Sequence, residues 1–355
     1  MQTIGDKIRS IRKSKNLKQG ELARKLGMTS AQLCRIEGAK NAPSVKTLAR
    51  VAKALEISVT DLMSDAIPKE HPAKHGSSDD TRTYALALEE MQTAGDTLKP
   101  IRETAEPPEA LFSIKKQLIQ KDTEYTKIEA ELGIQSATTL QLSHPFSIDE
   151  RGAEILARAV RTSCDAGSTP FADLVELLES RNVRIALVKT IIDIQSRCFY
   201  NTNSHVLTIA INKQLPPERQ LYRIAYELGY ACLFGSTGFA TVHETPGVHR
   251  FVRRFAAAFL MPEDTLRALA TQLALGPTNW TMGLLLQLKY KFGVSAETFA
   301  HRLEKLSLLA PPLRKHIKEE LRNYYEEHNN AEPPPVLKTL TVNTRLSLLK
   351  LRLTQ

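Results

Sequence analysis

Apolar residues recur at three- and four-residue spacing along most of this chain, so helices dominate the expected structure. Ile4, Ile8, Ile11 and Leu17 give a first stripe. Leu22, Ala23 and Leu26 give a second, ended by Gly27, a residue suited to the position just past a helix. Thr29 or Ser30 is placed to cap a third helix carrying Leu33 and Ile36. Leu48, Val51, Ala52 and Leu55 predict a fourth helix, and Val59, Leu62 and Met63 a fifth after Ser58. Helix, tight turn around a glycine, helix is a helix-turn-helix arrangement.

The pattern lapses over 66–108, where Pro, His, Gly, Ser and charged residues predict a linker with one short helix at 84–91. His71 and His75 fall four residues apart there, but Pro72 breaks the helix that would pair them on a metal. Over 109–144 Leu111, Ile114, Leu118, Tyr125, Ile128 and Leu132 restore helical spacing, with Lys121 at the one polar seam position. Such a stripe can join two chains or pack on the neighbouring domain.

Residues 145–310 predict a further domain. Helices are expected at 148–163 and 172–181, then a strand at 183–188. Alternating segments at 198–200 and 205–211 flank Asn201-Thr202-Asn203-Ser204, a hairpin signal. Pro216-Pro217 introduces a buried helix, and a Gly- and Thr-rich loop leads to another that breaks at Pro262. Three more are expected at 264–275, 279–292 and 295–309. In 311–355 a helix continues over 313–328, and the leucine-rich stretch after Pro333-Pro334-Pro335 alternates as a terminal strand or hairpin would. The expected fold is mainly α with a small β-sheet, an α+β class, with a five-helix domain at 1–65.

Composition adds a partner. The chain has 355 residues, 42% hydrophobic and 25% charged, the balance of a soluble protein. No apolar run approaches the roughly 18 residues of a membrane span, and the N-terminus lacks an apolar export segment. Cys34, Cys164, Cys198 and Cys232 are scattered without a C-x-x-C pair, which suits a reducing cytoplasm and gives no zinc-ribbon signal. Net charge is +9, and before residue 54 Lys and Arg outnumber acids thirteen to three. A cationic N-terminal module suggests a polyanion, or else a solubilising surface.

Residues 4–63 resemble the Cro/repressor-type (XRE) helix-turn-helix family. The resemblance rests on Gln19, Leu22-Ala23, Gly27, Ile36-Glu37, Pro43-Ser44 and Ala52-x-Ala54-Leu55, with Glu37-Gly38-Ala39 as a departure that removes one arginine. It implies binding of double-stranded DNA, with the helix beginning at Ser30 in the major groove. Thr29, Ser30, Ala31, Gln32 and Arg35 would then face base edges, Gln pairing with adenine and Arg with guanine. Lys18, Gln19, Lys40 and Asn41 would meet phosphates. The plainer reading leaves Gln32 and Arg35 as solvated surface and Cys34 as a small buried residue.

Residues 150–309 resemble the ImmA/IrrE family of gluzincin-like metallopeptidase domains. The matching residues are Ile209-Ala210-Ile211-Asn212, Arg219, Ala225-x-Glu227-Leu228-Gly229, Phe255-Ala256-Ala257-x-Phe259-Leu260-Met261-Pro262, Phe292-Gly293-Val294-Ser295 and Arg302-Leu303. The resemblance implies a zinc held by two histidines of the His-Glu-x-x-His helix and a later glutamate. Here those positions hold Tyr226, Tyr230 and His249, with Val252-Arg253 in place of the family's Ala-Asn. A neutral phenol of pKa about 10 is a poor zinc ligand. Without a metal Glu227 has no acidified water to deprotonate. No metal, cofactor or catalytic residue is therefore expected. Tyr226, Glu227, Tyr230 and His249 are candidates for an effector pocket, taking a small molecule or protein, or else for core packing. A different arrangement would keep a metal on Glu227, His243, Glu244 and His249.

The expected function is a cytoplasmic, homodimeric, DNA-binding transcriptional regulator whose second domain is an inactive sensor or assembly unit. The alternatives are a divergent metallopeptidase acting on a repressor, and an antitoxin or phage-control protein that holds a protein partner.

Overall fold

The computed structural model describes residues 4–15, 17–26, 28, 30–38, 51, 54–55, 97–103, 108–190 and 194–354. Two compact units divide the chain, Met1–Arg82 and Thr83–Gln355.

In the first unit the apolar stripes become α1 (Ile4–Ser14), α2 (Gln19–Lys25) and α3 (Ser30–Glu37). Ile8, Leu22, Leu26, Leu33 and Ile36 bury one face of each helix in a common core, joined by Val51 and Leu55. The rest of the fourth predicted helix, and all of the fifth, lies outside the described residues, as does the short helix predicted at 84–91. Gly5 lets α1 meet the end of α3: a β-carbon there would sit 2.3 Å from the Ile36 carbonyl oxygen. Cys34 is exposed, not buried. About 100° of helical rotation separates it from Leu33, which takes the core-facing position.

The second unit is built on a four-stranded mixed sheet in the order β1-β3-β4-β2. The strands are β1 (Leu98–Pro100), β2 (Val183–Val188), β3 (Ser196–Asn201) and β4 (Val206–Asn212). β3 and β4 form the predicted antiparallel hairpin, with Cys198 opposite Ile209, while β2 runs parallel to β4. Alternate side chains point to opposite faces. Ile185, Cys198, Leu207, Ile209 and Ile211 enter the main core. Ala186, Val188, Phe199 and Ala210 face the other way, against Ala110, Ile114 and Leu118 of α4 (Pro108–Glu131). The apolar stripe of α4 thus packs on its own unit.

The main core lies between the sheet and a helical layer of α5 (Glu150–Ser163), α6 (Leu174–Ser180), α7 (Pro217–Ser236) and α8 (Pro246–Leu260). α9 (Glu263–Gln272), α10 (Met282–Phe292), α11 (Ala296–Lys305) and α12 (Pro311–Glu327) follow. The fold is mainly α with a small sheet.

Two further expectations need correction. The stretch read as linker contains β1, an edge strand paired antiparallel with β3. It is three residues long and ends in proline, which an edge tolerates, so it carries no periodic signal. The leucine-rich tail is a helix, α13 (Thr344–Leu353), not a strand. Leu346 and Leu349 pack on Tyr125 and Ile128 of α4. Buried Glu129 accepts from Arg345 Nη1 at 2.5 Å, and Glu179 accepts the Asn343 and Arg345 amides at 2.6 and 3.1 Å.

Candidate functional site

α7 enters after Pro216-Pro217 and is buried from Ile224 to Gly235, between the sheet and α8. Gly229 permits the close crossing with α8, because a β-carbon would lie 2.8 Å from the Phe255 ring. One face of α7 carries Tyr226 and Tyr230, four residues apart, with ring centroids at 5.4 Å in an edge contact. α8 starts at a cap in which Thr245 Oγ1 accepts the Val248 amide, and this sets His249 in its first turn. His249 Nδ1 lies 3.1 Å from both phenolic oxygens, Tyr226 Oη and Tyr230 Oη. Burial leads the causes that hold the Tyr230 phenol far above its ordinary value, so it stays protonated.

Glu227 is fully buried and faces elsewhere. Its Oε1 accepts from Ser196 Oγ at 2.6 Å and from Arg102 Nη2 at 2.9 Å. Arg102 follows β1, at a point where 101–103 pairs with Val242. Its Nε also lies 3.0 Å from Glu244 Oε1, and its guanidinium carbon stands 4.1 Å from the Tyr230 ring centre. Burial works against this charge, but the Glu227 carboxylate, then that of Glu244, outweighs it, so the Arg102 pKa is raised. A fixed cation therefore sits among two carboxylates and two aromatic faces. Sequence reasoning missed it, since Arg102 lies in a stretch without pattern.

The four predicted residues do come together, but as two linked groups: Tyr226, Tyr230 and His249, and Glu227 with Arg102, Ser196 and Glu244. His243 points away and pairs with Glu103 at 2.7 Å on the surface. Glu244 Oε2 is 3.9 Å from His249 Nε2.

In the first unit Lys18 is exposed just before α2, and its amide donates to Glu21 Oε2 at 2.9 Å. Gln19 Nε2 donates to Glu37 Oε2 at 3.0 Å, while Arg12 grips the same carboxylate through Nε at 2.7 Å and Nη2 at 3.0 Å. Glu37 is thus a buried fastener between α1, α2 and α3. Ser30, Ala31, Gln32 and Arg35 are on α3. Thr29, Lys40 and Asn41 lie outside the described residues.

Residues 8–62 match the helix-turn-helix family, and residues 191–304 match the IrrE N-terminal-like domain family. The chain carries both domains. Among curated relatives, the immunity repressor protein of Bacillus phage phi105 is 34% identical over 91 residues, 25% of this chain and 62% of that protein. The ImmF control region 10 kDa protein of the same phage is 41% identical over 59 residues, 17% of this chain and 66% of its own. The chain thus spans just under two thirds of the length of either. A solved structure of SinR, a master regulator for biofilm formation, in complex with DNA shares 35% identity. The match covers 18% of this chain and the whole of the SinR chain in that structure, with a TM-score of 0.17.

The IrrE-like domain belongs to a peptidase family, which raises the question of zinc. The side chains do not fit one. The positions for two imidazoles hold phenols, and zinc favours imidazole, thiolate or carboxylate. The cationic place beside Glu227 is taken by the chain's own guanidinium. Among the described residues no three His, Cys, Asp or Glu side chains converge as a metal site. Arg102 lies outside the segment matched to the family.

Proposed function

We propose that this chain is a DNA-binding transcriptional regulator whose IrrE-like domain performs no peptidase chemistry. DNA recognition is supported by the helix-turn-helix match over 8–62 and by the similarity to a phage immunity repressor protein. Arg9, Lys13, Lys18, Arg24 and Lys25 are exposed on the same small unit and supply charge for a phosphate backbone. In this reading α3 enters the major groove with Gln32 and Arg35 toward base edges, and the protein acts as a cytoplasmic homodimer on paired half-sites.

The observation that carries the second half of the reading is Arg102 on Glu227. A general base must accept a proton from water, and Glu227 is instead fully buried with its Oε1 already engaged by a guanidinium and a hydroxyl. The Tyr226, Tyr230 and His249 group then works as a polar seam between α7 and α8. The experiment is selection of duplexes from a genomic pool, followed by titration across salt. Sub-micromolar, salt-dependent binding is expected, with a loss of at least tenfold in Gln32→Ala/Arg35→Ala protein that keeps its fold. Retention of no duplex at roughly 150 mM salt would reject the reading.

A further inference from the structure

A second cleft in the C-terminal unit shares no residue with the Arg102 cluster. It lies among α7, α8, α11 and α12 and encloses about 590 Å³, within the range of about 300–1,000 Å³ common for small-molecule sites. Seven of its lining side chains are Arg or Lys and two are Glu. Arg254 and Arg302 are occupied, both by Glu154, at 2.5 Å each. Arg250, Arg253, Lys305 and Lys318 are exposed along its rim.

Arg314 sets this cleft apart from an ordinary solvated basic face. It is only 8% exposed, and its Nε and Nη1 have no hydrogen-bond partner among the described residues. A buried guanidinium with unused donors is costly unless an anion meets it. Burial, then the charge of Arg314, holds the neighbouring His301 below its ordinary value, so that imidazole adds no charge and stays able to exchange hydrogen bonds. Tyr222 offers a half-buried ring on the α7 wall, its hydroxyl donating to the Arg253 carbonyl at 3.3 Å.

The geometry points to a binding site for a small phosphorylated molecule of nucleoside-diphosphate size, with Arg314 at its base and Arg253 and Lys318 at its mouth. Guanidinium forks match pairs of phosphate oxygens, and a ligand with two or more negative charges balances several cations at once. Depth favours a small ligand over duplex DNA, whose phosphates lie on a convex surface and meet exposed cations. The inference stands apart from the DNA reading and from the Arg102 cluster.

Calorimetric titration of the full-length protein with inorganic pyrophosphate and with adenosine diphosphate, at fixed ionic strength, tests it. One saturable site per chain is expected for at least one probe, weakened tenfold or more in Arg314→Gln. Should Arg314→Gln fail to fold, the exposed pair Arg253→Gln/Lys318→Gln should give a comparable loss with wild-type melting. Absence of saturable binding by either probe overturns the proposal, as does unchanged binding in the exposed-pair variant. A random duplex is titrated in parallel. Duplex affinity that falls in the exposed-pair variant while neither phosphate probe binds assigns the cleft to DNA and likewise overturns it.

Discussion

Arg102 Nη2 lies 2.9 Å from Glu227 Oε1, and both side chains are closed off from solvent, at 6% and 0% exposure. The two residues are 125 positions apart and come from the segment just after an edge strand and from a central helix. An ion pair so buried offsets a large desolvation cost, and removing one member leaves the other charged in a low-dielectric interior. Arg102→Met should therefore destabilise the C-terminal unit by about 3–5 kcal/mol. Arg102→Met/Glu227→Gln should recover much of that loss. Trp280, the single tryptophan of the chain, is buried in this unit and reports its unfolding in urea. A loss below about 1 kcal/mol in the single variant, the scale of an exposed pair, would mean that Arg102 is solvated.

The same relationship decides how a zinc site could be rebuilt. Tyr226→His/Tyr230→His places imidazoles on the helix but leaves the Arg102 guanidinium on Glu227 and 4.1 Å from the centre of the ring at position 230. Like charges at such range repel strongly. Elemental analysis should find less than a tenth of an equivalent of zinc in that double variant, and more only when Arg102→Ala is added. One equivalent of zinc in wild-type protein, lost on His249→Ala, would instead return the metallopeptidase alternative.

Half of this cluster was legible in the sequence. Tyr226 and Tyr230 share a face because four residues make about one helical turn, and the family resemblance led to His249. Arg102 was not legible, since its position is fixed by three residues of edge-strand pairing with β3. Backbone hydrogen bonds of that kind leave no mark on hydrophobic spacing. The central strands were easier. β4 is buried along its whole length, and five of its seven residues are apolar, with Thr208 and Asn212 the exceptions. The tail was ambiguous for a physical reason: leucines at 346, 348, 349, 351 and 353 satisfy both a two-residue and a three-to-four-residue period. What decides is the partner, an α4 face with Tyr125 and Ile128 uncovered by the sheet.

That resolution can be checked residue by residue. Leu346 and Leu349 are buried against α4, whereas Leu348 and Leu351 are about 60% exposed. Leu346→Ala and Leu349→Ala should each cost about 2–4 kcal/mol, at the scale of a buried leucine truncated in a packed seam. Leu348→Ala and Leu351→Ala should stay within about 0.5 kcal/mol, because alanine also favours the helix. Matching effects within the pairs 346/348 and 349/351, with the two pairs unlike, would return the tail to an alternating strand.

Acid stability should carry the mark of Glu154. Its carboxylate receives Arg302 Nη1 and Nη2 at 2.5 and 2.9 Å, and Arg254 Nε lies 2.5 Å away. Burial raises its pKa, but the hydrogen bonds and charge of Arg302, then Arg254, more than reverse this, so the folded value falls below the ordinary 4.5. A depressed folded pKa means that the unfolded chain takes up the proton first. The stabilisation is then complete above pH about 5 and drains away as pH falls through the folded value. Asp149, held low by the Gly152 amide, titrates in the same window, so the difference between two proteins is the useful measurement. Glu154→Gln keeps an oxygen acceptor for Arg302 but lacks the charge. Its stability should be lower by about 1–3 kcal/mol at neutral pH, and its decline between pH 5 and 3 shallower, as followed by Trp280 fluorescence in urea. Parallel acid limbs in the two proteins would mean that Glu154 titrates alike folded and unfolded, and that Arg302 is held by the Met261 carbonyl, 3.1 Å from its Nε, rather than by charge.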